Sequence, residues 1–406
     1  MPGPELAAAA IPYAHSLVAV GPEAFDTIRR TVAALFRIAH LDAYQTRVDA
    51  GADAVARHRP PNHAVFMGYD FHLTPAGPRL IEINTNAGGA LLNGLHTASL
   101  CPPESLAGLC AELVPLEAMR ERLLGTFRAE WAAARPDAPL TRAVIADDRP
   151  AQQFLRAEFE LFREGFRGAG IVAEICDVRA LEHRPGAGLC LGGEPVDLVY
   201  LRDTDWRFEE PRSSALRAAY LAGETVVTPA PREHHLLAHK ARLARFSSPS
   251  ALRESGASPE EIALLTDVVP ETIPLDTLGV EAAWRTRRDW VFKPGASHAS
   301  RAVYRGDKIS QRKLEEIAAR GGFVAQRRIE PGALEVTTLD GPRRMKFDVR
   351  AYAYRDEVLL LGARVYEGQV TNFRTPGGGF SAICVVRGGS SGPASGSAVG
   401  PAVSER

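Results

Sequence analysis

Charge of one sign is what this sequence most plainly lacks. Its 48 basic and 49 acidic side chains leave a formal net charge of -1, so no overall field gathers nucleic acid or an anionic membrane. Long apolar runs are missing as well. No 18-residue apolar stretch offers a bilayer span, and the opening M-P-G-P-E-L carries an acidic residue and no basic n-region, so neither a membrane helix nor a signal peptide is expected. The five cysteines, Cys101, Cys110, Cys176, Cys190 and Cys384, are odd in number and without C-x-x-C spacing. They indicate neither a disulfide framework nor a zinc site, and a reduced, cytoplasmic setting is the expectation. There is no internal repeat, and the absence of G-x-G-x-x-G argues against a dinucleotide site of that type.

What is present is a globular composition, 45% hydrophobic and 24% charged over 406 residues, long enough for two or three domains. Its organising stretch is Met67 to Gly89. Met67, Tyr69, Phe71, Leu73, Ile81 and Ile83 alternate with Asp70, His72, Glu82, Asn84 and Asn86 on both sides of T-P-A-G-P. That period of two predicts an antiparallel hairpin with one apolar and one polar face. A five-residue loop closing about Ala76 sets Asp70 opposite Glu82 and Gly68 opposite Asn84. Opposed carboxylates repel unless something neutralises them, and two carboxylates with an amide carbonyl form a hard-oxygen set suited to Mg²⁺. The other reading is a solvated edge hairpin. Against it stand the poor strand formers Asn84 and Asn86, and Gly88-Gly89, which lets backbone approach a ligand closely.

Asp followed twelve positions later by Glu-x-Asn on an adjacent strand resembles the metal-binding end of the ATP-grasp superfamily, where such side chains hold Mg²⁺ on the phosphates of ATP. In most members that element closes the domain. Here it opens the chain, an order similar to the circularly permuted members such as the glutathionylspermidine synthetase group. The resemblance implies an α/β fold, an α+β ATP-grasp split around an inserted Rossmann-like parallel sheet. It also implies that the remainder of an ATP site lies downstream.

Taken in order, residues 22 to 50 read as a helix covering the hairpin's apolar face, Leu91 to Leu100 as a short apolar segment and Glu104 to Ala134 as one or two helices. From Thr141 strands alternate with helices: Ala143–Ala146, Ile171–Ile175, Leu189–Leu191, Val196–Leu201 and Thr225–Thr228, with helices over Gln152–Gly168 and Ser214–Ala222. This rhythm predicts a parallel sheet. The expected divisions are 1–140, 141–240, 241–386 and a low-complexity, disordered tail at 387–406. If the order is permuted, the end at Val386 lies near residue 20.

The basic helix His234–Phe246 presents His234, His235 and His239 as a solvated face, with Lys240 a weak phosphate candidate. W-V-F-K-P-G-A-S from Trp290 resembles the family's lysine strand and lid, with Lys293, Gly295 and Ser297 toward the α- and β-phosphates. By itself this is an exposed hairpin as readily as a site. Gly321–Gly332 resembles the adenine hinge, with Gln326 in it and Glu330 or Glu335 for ribose. K-F-D-V-R puts Lys346, Asp348 and Arg350 on one face of a strand, as in tubulin tyrosine ligase-like members. There the lysine and arginine face the γ-phosphate and an acidic substrate, a role that extends to Arg364 and Asn372. Relatives often carry Arg two residues before the metal Asp; here Gly68 stands there, so Arg350 or Arg374 must substitute or turnover is impaired.

The implied activity is ATP-dependent joining of a small-molecule or peptide carboxylate to an amine through an acyl phosphate. Its cofactors are ATP and Mg²⁺ (Asp70, Glu82, Asn84), its catalytic residues Arg350, Lys346 and Arg364, and neither nucleic acid nor a membrane is a partner. The alternatives are a phosphotransferase and a Mg-ATP-binding module without turnover.

Overall fold

The computed structural model describes residues 11–100, 110, 115–295, 302–338, 341–368 and 375–387, and four sheets organise them. The largest has seven strands. Tyr13–Val20, Gly379–Val385, Glu357–Tyr366, Gly341–Tyr354, Met67–Thr74 and Gly77–Asn84 lie in that order, and Gly332–Thr338 also pairs with Gly341–Tyr354. The fourteen-residue strand Gly341–Tyr354 is shared: residues 341–347 meet Gly332–Thr338, and residues 349–353 meet the Asp70 strand. Tyr13–Val20 was not anticipated. It runs parallel to the last strand with Val20 opposite Val385, and Val386 N donates to Val20 O at 3.0 Å. Val386 therefore lies beside residue 20, as expected.

The hairpin places Asp70 opposite Glu82 and Gly68 opposite Asn84, but not through a five-residue loop. Thr74 pairs with Gly77, Leu73 with Pro78 and Phe71 with Leu80, so the turn is tight and a register shift follows between Asp70 and Phe71. Ile81 is the extra residue. A bulge gives two residues on one strand a single opposite number and re-aims a side chain. Leu80 drops fully into the core, while Ile81, expected there, is only partly buried. The predicted helix over 22–50 is two, Pro22–Ala39 and Asp42–Val48. Val32, Leu35 and Ile38 pack with Tyr69, Phe71, Leu80 and Val349 in one core, which covers the hairpin as the pattern required.

The second sheet is wholly parallel, ordered Val226–Thr228, Leu198–Leu201, Arg142–Asp147, Val172–Asp177. Its helices are Arg156–Gly168 and Ser214–Leu221. Leu189–Leu191 is a strand, but in a separate three-stranded antiparallel sheet. Asn86 ties the hairpin's end to the parallel layer, its Nδ2 donating to Arg202 O. A third, antiparallel sheet orders Thr272–Pro274, Phe323–Arg327, Trp290–Pro294 and Tyr304–Arg305. Helix Gln311–Arg320 packs Leu314 and Ile317 against Phe292 and Ala325 of that sheet.

Two expectations are corrected. His234–Phe246 is not one solvated helix. His234–Ala238 form a π-helical turn, His239 leaves helical conformation, and Ala241–Phe246 resume it. His234 and His235 are buried, the first bonded to Thr85 and stacked on Trp206, the second against Asp49. The chain passes here between two layers, so polar side chains that look solvated in isolation are covered. Cys110 and Cys384 form a disulfide with Cα atoms 5.3 Å apart. Spacing along the chain could not indicate it, because 274 residues separate the partners. Among the described residues no helix is long and apolar enough to cross a membrane.

Candidate active site

A cleft of about 150 Å³ opens between the polar face of the hairpin and the third sheet. Its walls include His72, Ile81 and Glu82 from the hairpin, Lys293 and Gln326 from the third sheet, Arg328 and Glu330 from the segment after it, and Lys346 and Tyr366 from the large sheet. Residues far apart in the sequence, Glu82 and Lys293 among them, thus share one cavity.

Lys293 is the most constrained group. Its Nζ donates to Gln326 Oε1 at 2.7 Å and to Ile81 O at 3.0 Å, the carbonyl that the bulge turns inward. Burial pushes its pKa down to about 8, and the Glu82 carboxylate opposes this only in part. Gln326, 2% exposed, spends its oxygen on Lys293, and its Nε2 has no hydrogen-bond partner among the described residues. An unsatisfied buried donor costs about 1–3 kcal/mol, so a ligand acceptor at this wall recovers what the free protein forgoes. Among the described lining residues Lys293, Lys346, Arg305, Arg327 and Arg328 stand with Glu82 and Glu330, while Asp307 pairs with Arg305 and Arg328, and Glu271 and Asp289 pair with Arg327. The two lysines and the orphan donor fit the phosphates and acceptor atoms of a nucleotide.

The opposed carboxylates are neutralised by the protein itself. Asp70 Oδ1 accepts from Arg350 Nε at 2.6 Å, and Oδ2 from Arg350 Nη2 at 2.7 Å and Asn84 Nδ2 at 3.2 Å, with Arg364 Nη2 2.9 Å away. Burial alone would raise the Asp70 carboxyl; the two guanidinium groups outweigh it and hold the pKa well below the usual carboxylate range. Arg364 also donates to Asp348 at 2.7 Å. Glu82 pairs with Lys240 at 2.9 Å, and although burial pushes its pKa up, Lys240 and Lys293 bring it down. The charge repulsion that called for a divalent cation is thus already answered by arginine and lysine. Both oxygens of Asp70 are occupied, and Asn84 turns its nitrogen toward them. As they stand, the three residues do not fit a magnesium site.

Lys346 lines the cleft and donates to Gly368 O at 2.7 Å. Gly295 is clamped, its N–H on Gly322 O and its carbonyl receiving Lys240 N. A Cβ there would stand 2.9 Å from His239, so glycine serves close packing and its amide is already spent. The same holds for Gly88-Gly89. Gly89 N donates to Glu158, and a Cβ at Gly88 would meet Leu155 at 2.2 Å. The pair admits neighbouring side chains where a ligand was expected. Of the two ribose candidates, Glu330 is at the cleft, ion-paired with Arg328, whereas Glu335 is exposed on the strand opposite Arg344. Ser297 and Asn372 lie outside the described residues. Arg305, Arg328, Tyr366 and the Ile81 carbonyl were not foreseen. The doublet Arg327-Arg328 just after the Gln326 strand was the available signal; the carbonyl had none, because a bulge leaves no composition mark.

No protein-family model matches the sequence, and no curated protein matches it. Among solved structures it is similar to an apo glutathione synthetase-like effector, GSS30, from Globodera pallida. The two share 12% identity with a TM-score of 0.65, over 93% of this chain and 90% of that one. A putative gamma-glutamylcysteine synthetase from Methylobacillus flagellatus aligns over 87% and 84% of the two chains at 13% identity and TM-score 0.47. The ATP-grasp ligase PsnB, with its minimal precursor, aligns over 58% and 74% at 18% and 0.34. These last two superpose too loosely to argue from. The chain has a mixed α/β fold shared with the effector along nearly its whole length.

Proposed function

We propose that this chain is an ATP-dependent carboxylate–amine ligase on a circularly permuted ATP-grasp fold, divided near residues 140, 240 and 386. The observation that carries the reading is the cleft itself. Lys293 and Gln326, with its orphan Nε2, come from one sheet, Glu82 and Lys346 from another, and all four residues line a single cavity. When bound, the nucleotide supplies the phosphoryl group that activates a carboxylate for attack by an amine.

The protein's share is positioning and charge. Lys293 and Lys346 hold the phosphates, and Gln326 Nε2 donates to an acceptor of the base or the phosphate chain. Arg350 and Arg364, fixed by Asp70 and Asp348, offer guanidinium charge to the substrate carboxylate and to the negative charge that develops on it. Preorganised donors of this kind act without reorganising during reaction. No step is routed through magnesium. The substrates proposed are an amino acid or short peptide bearing the carboxylate, and an amine.

A second reading, a nucleotide-binding module without turnover, is favoured by one observation: Asp70 is capped on both oxygens by protein cations. A screen of amino acids and short peptides for ADP release, with Glu82→Ala as the blank, separates the possibilities. ADP release requiring both carboxylate and amine supports the ligase. Release with an alcohol alone identifies a phosphotransferase, and calorimetric binding of ATP without release in any pool identifies the module.

A further inference from the structure

Away from the cleft, three side chains from three segments converge on one atom. His40 caps helix Pro22–Ala39, His63 precedes the Asp70 strand, and Glu233 ends the short helix before the π-helical turn. His40 Nε2 stands 2.8 Å and His63 Nδ1 3.1 Å from Glu233 Oε1, and the three ligand atoms lie within 4.8 Å of one another. Glu233 is 3% exposed while the histidine side chains are 23% and 22% exposed, so the carboxylate is sealed and the imidazoles open to solvent. The Phe36 ring lies 4.1 Å from the His40 ring and 5.2 Å from that of His63. His63 is also tied at its backbone, its N–H on Glu130 Oε1 and its carbonyl receiving Ala230 N.

The hydrogen bonds fix which ring nitrogen of His40 faces Glu233. His40 Nδ1 is 2.7 Å from Phe36 O, which can only accept, so Nδ1 carries a hydrogen. In the neutral ring Nε2 is then a bare lone pair, yet it faces a carboxylate oxygen, another acceptor. A proton on the ring or on the carboxyl satisfies this contact, and so does a metal ion bound by both groups.

We propose that His40, His63 and Glu233 bind one borderline divalent transition metal of the Zn²⁺ class. Two imidazole nitrogens and one carboxylate oxygen form the donor set of three-ligand zinc sites that keep an open position, and they are too soft a set to select Mg²⁺. Tetrahedral bonds of about 2.0–2.1 Å set ligand atoms about 3.3–3.4 Å apart, so entry of the ion widens the 2.8 and 3.1 Å separations by a few tenths of an ångström. Phe36 O orients His40 as an outer partner of a ligating histidine does. The metal joins the first long helix to the segment that runs on to Lys240, so its binding registers as stability.

The test uses the metal-free full-length chain, titrated with Co²⁺ and Zn²⁺ in excess Mg²⁺. One equivalent binds, a Co²⁺ ligand-field band appears and the unfolding temperature rises by a few degrees. Loss of an outer partner alone costs 10–100-fold, so His63→Ala and His40→Gln each weaken binding by at least about 100-fold. Absence of a stoichiometric Co²⁺ spectrum overturns the proposal, as does unchanged binding in both variants. Should the variants fail to fold, anomalous scattering from Co²⁺-soaked wild-type crystals decides. A peak among the three ligand atoms supports the site, and a peak only elsewhere overturns it.

Discussion

Gly68 stands where a side chain would collide, since its Cβ would lie 2.5 Å from the Ala87 methyl and 3.3 Å from Arg350 Cδ and Nε. Arg350 lies across this gap to reach Asp70 from the neighbouring strand, where the two residues pair. Gly68→Ala is expected to cost about 1–3 kcal/mol through overpacking and to loosen Arg350, measurable by denaturant unfolding. Arg350→Met costs about 3 kcal/mol, the low end for breaking a buried pair, because Arg364 stays beside Asp70. Lys293 adds a pH signature. Its folded pKa of about 8 lies below the ordinary lysine value of 10.5. Below pH 8 both states hold the proton. Between 8 and 10.5 the unfolded chain binds more, so the free protein gains stability as pH rises. A bound polyphosphate favours charged Lys293, so nucleotide affinity falls as pH climbs through 8. Calorimetry across that range should give a falling curve for the wild type and a flat one for Lys293→Met.

At the scale of the element, the bulge at Ile81 does two things that alternation alone cannot. It keeps Asp70 opposite Glu82 despite a tight turn, and it turns a backbone carbonyl onto Lys293. Deleting Ile81 is expected to yield a regular hairpin in which Asp70 still faces Glu82, but without that acceptor. The expected outcome is roughly tenfold weaker nucleotide binding, the worth of one charge-assisted hydrogen bond, with little change in unfolding temperature. Equal affinity would show that the carbonyl contributes nothing. The π-helical turn His234–Ala238 is the second such device. It shifts the chain just before Lys240, which then reaches Glu82 at 2.9 Å.

For the whole molecule, the Cys110–Cys384 bond fastens the chain beyond helix Ala90–Leu100 to the last strand of the large sheet. Disulfides persist in oxidising surroundings, so this bond bears directly on the reduced setting that cysteine spacing suggested. Thiol counting in denaturant decides: reduction should expose two further alkylatable cysteines, and an unchanged count would return the protein to a reducing compartment. Cys384→Ser should cost about 2–4 kcal/mol, the usual range for a native cross-link. Cys176 is poor at exchange, being buried with its thiol pKa pushed up to about 12 by that burial and the nearby Asp177.

The pattern of apolar and polar residues by itself determined the hairpin, the polar face that carries Asp70 and Glu82, the parallel sheet of the middle segment and the strand bearing Lys346, Asp348 and Arg350. Each is set by a period of two or by strand–helix alternation, which depend on near neighbours only. Tertiary structure decided which charges meet. Arg350 and Arg364 cap Asp70, Lys240 takes Glu82, Cys110 finds Cys384, and His40, His63 and Glu233 share a point, because contacts between distant segments are chosen by how sheets stack, and no local pattern encodes that.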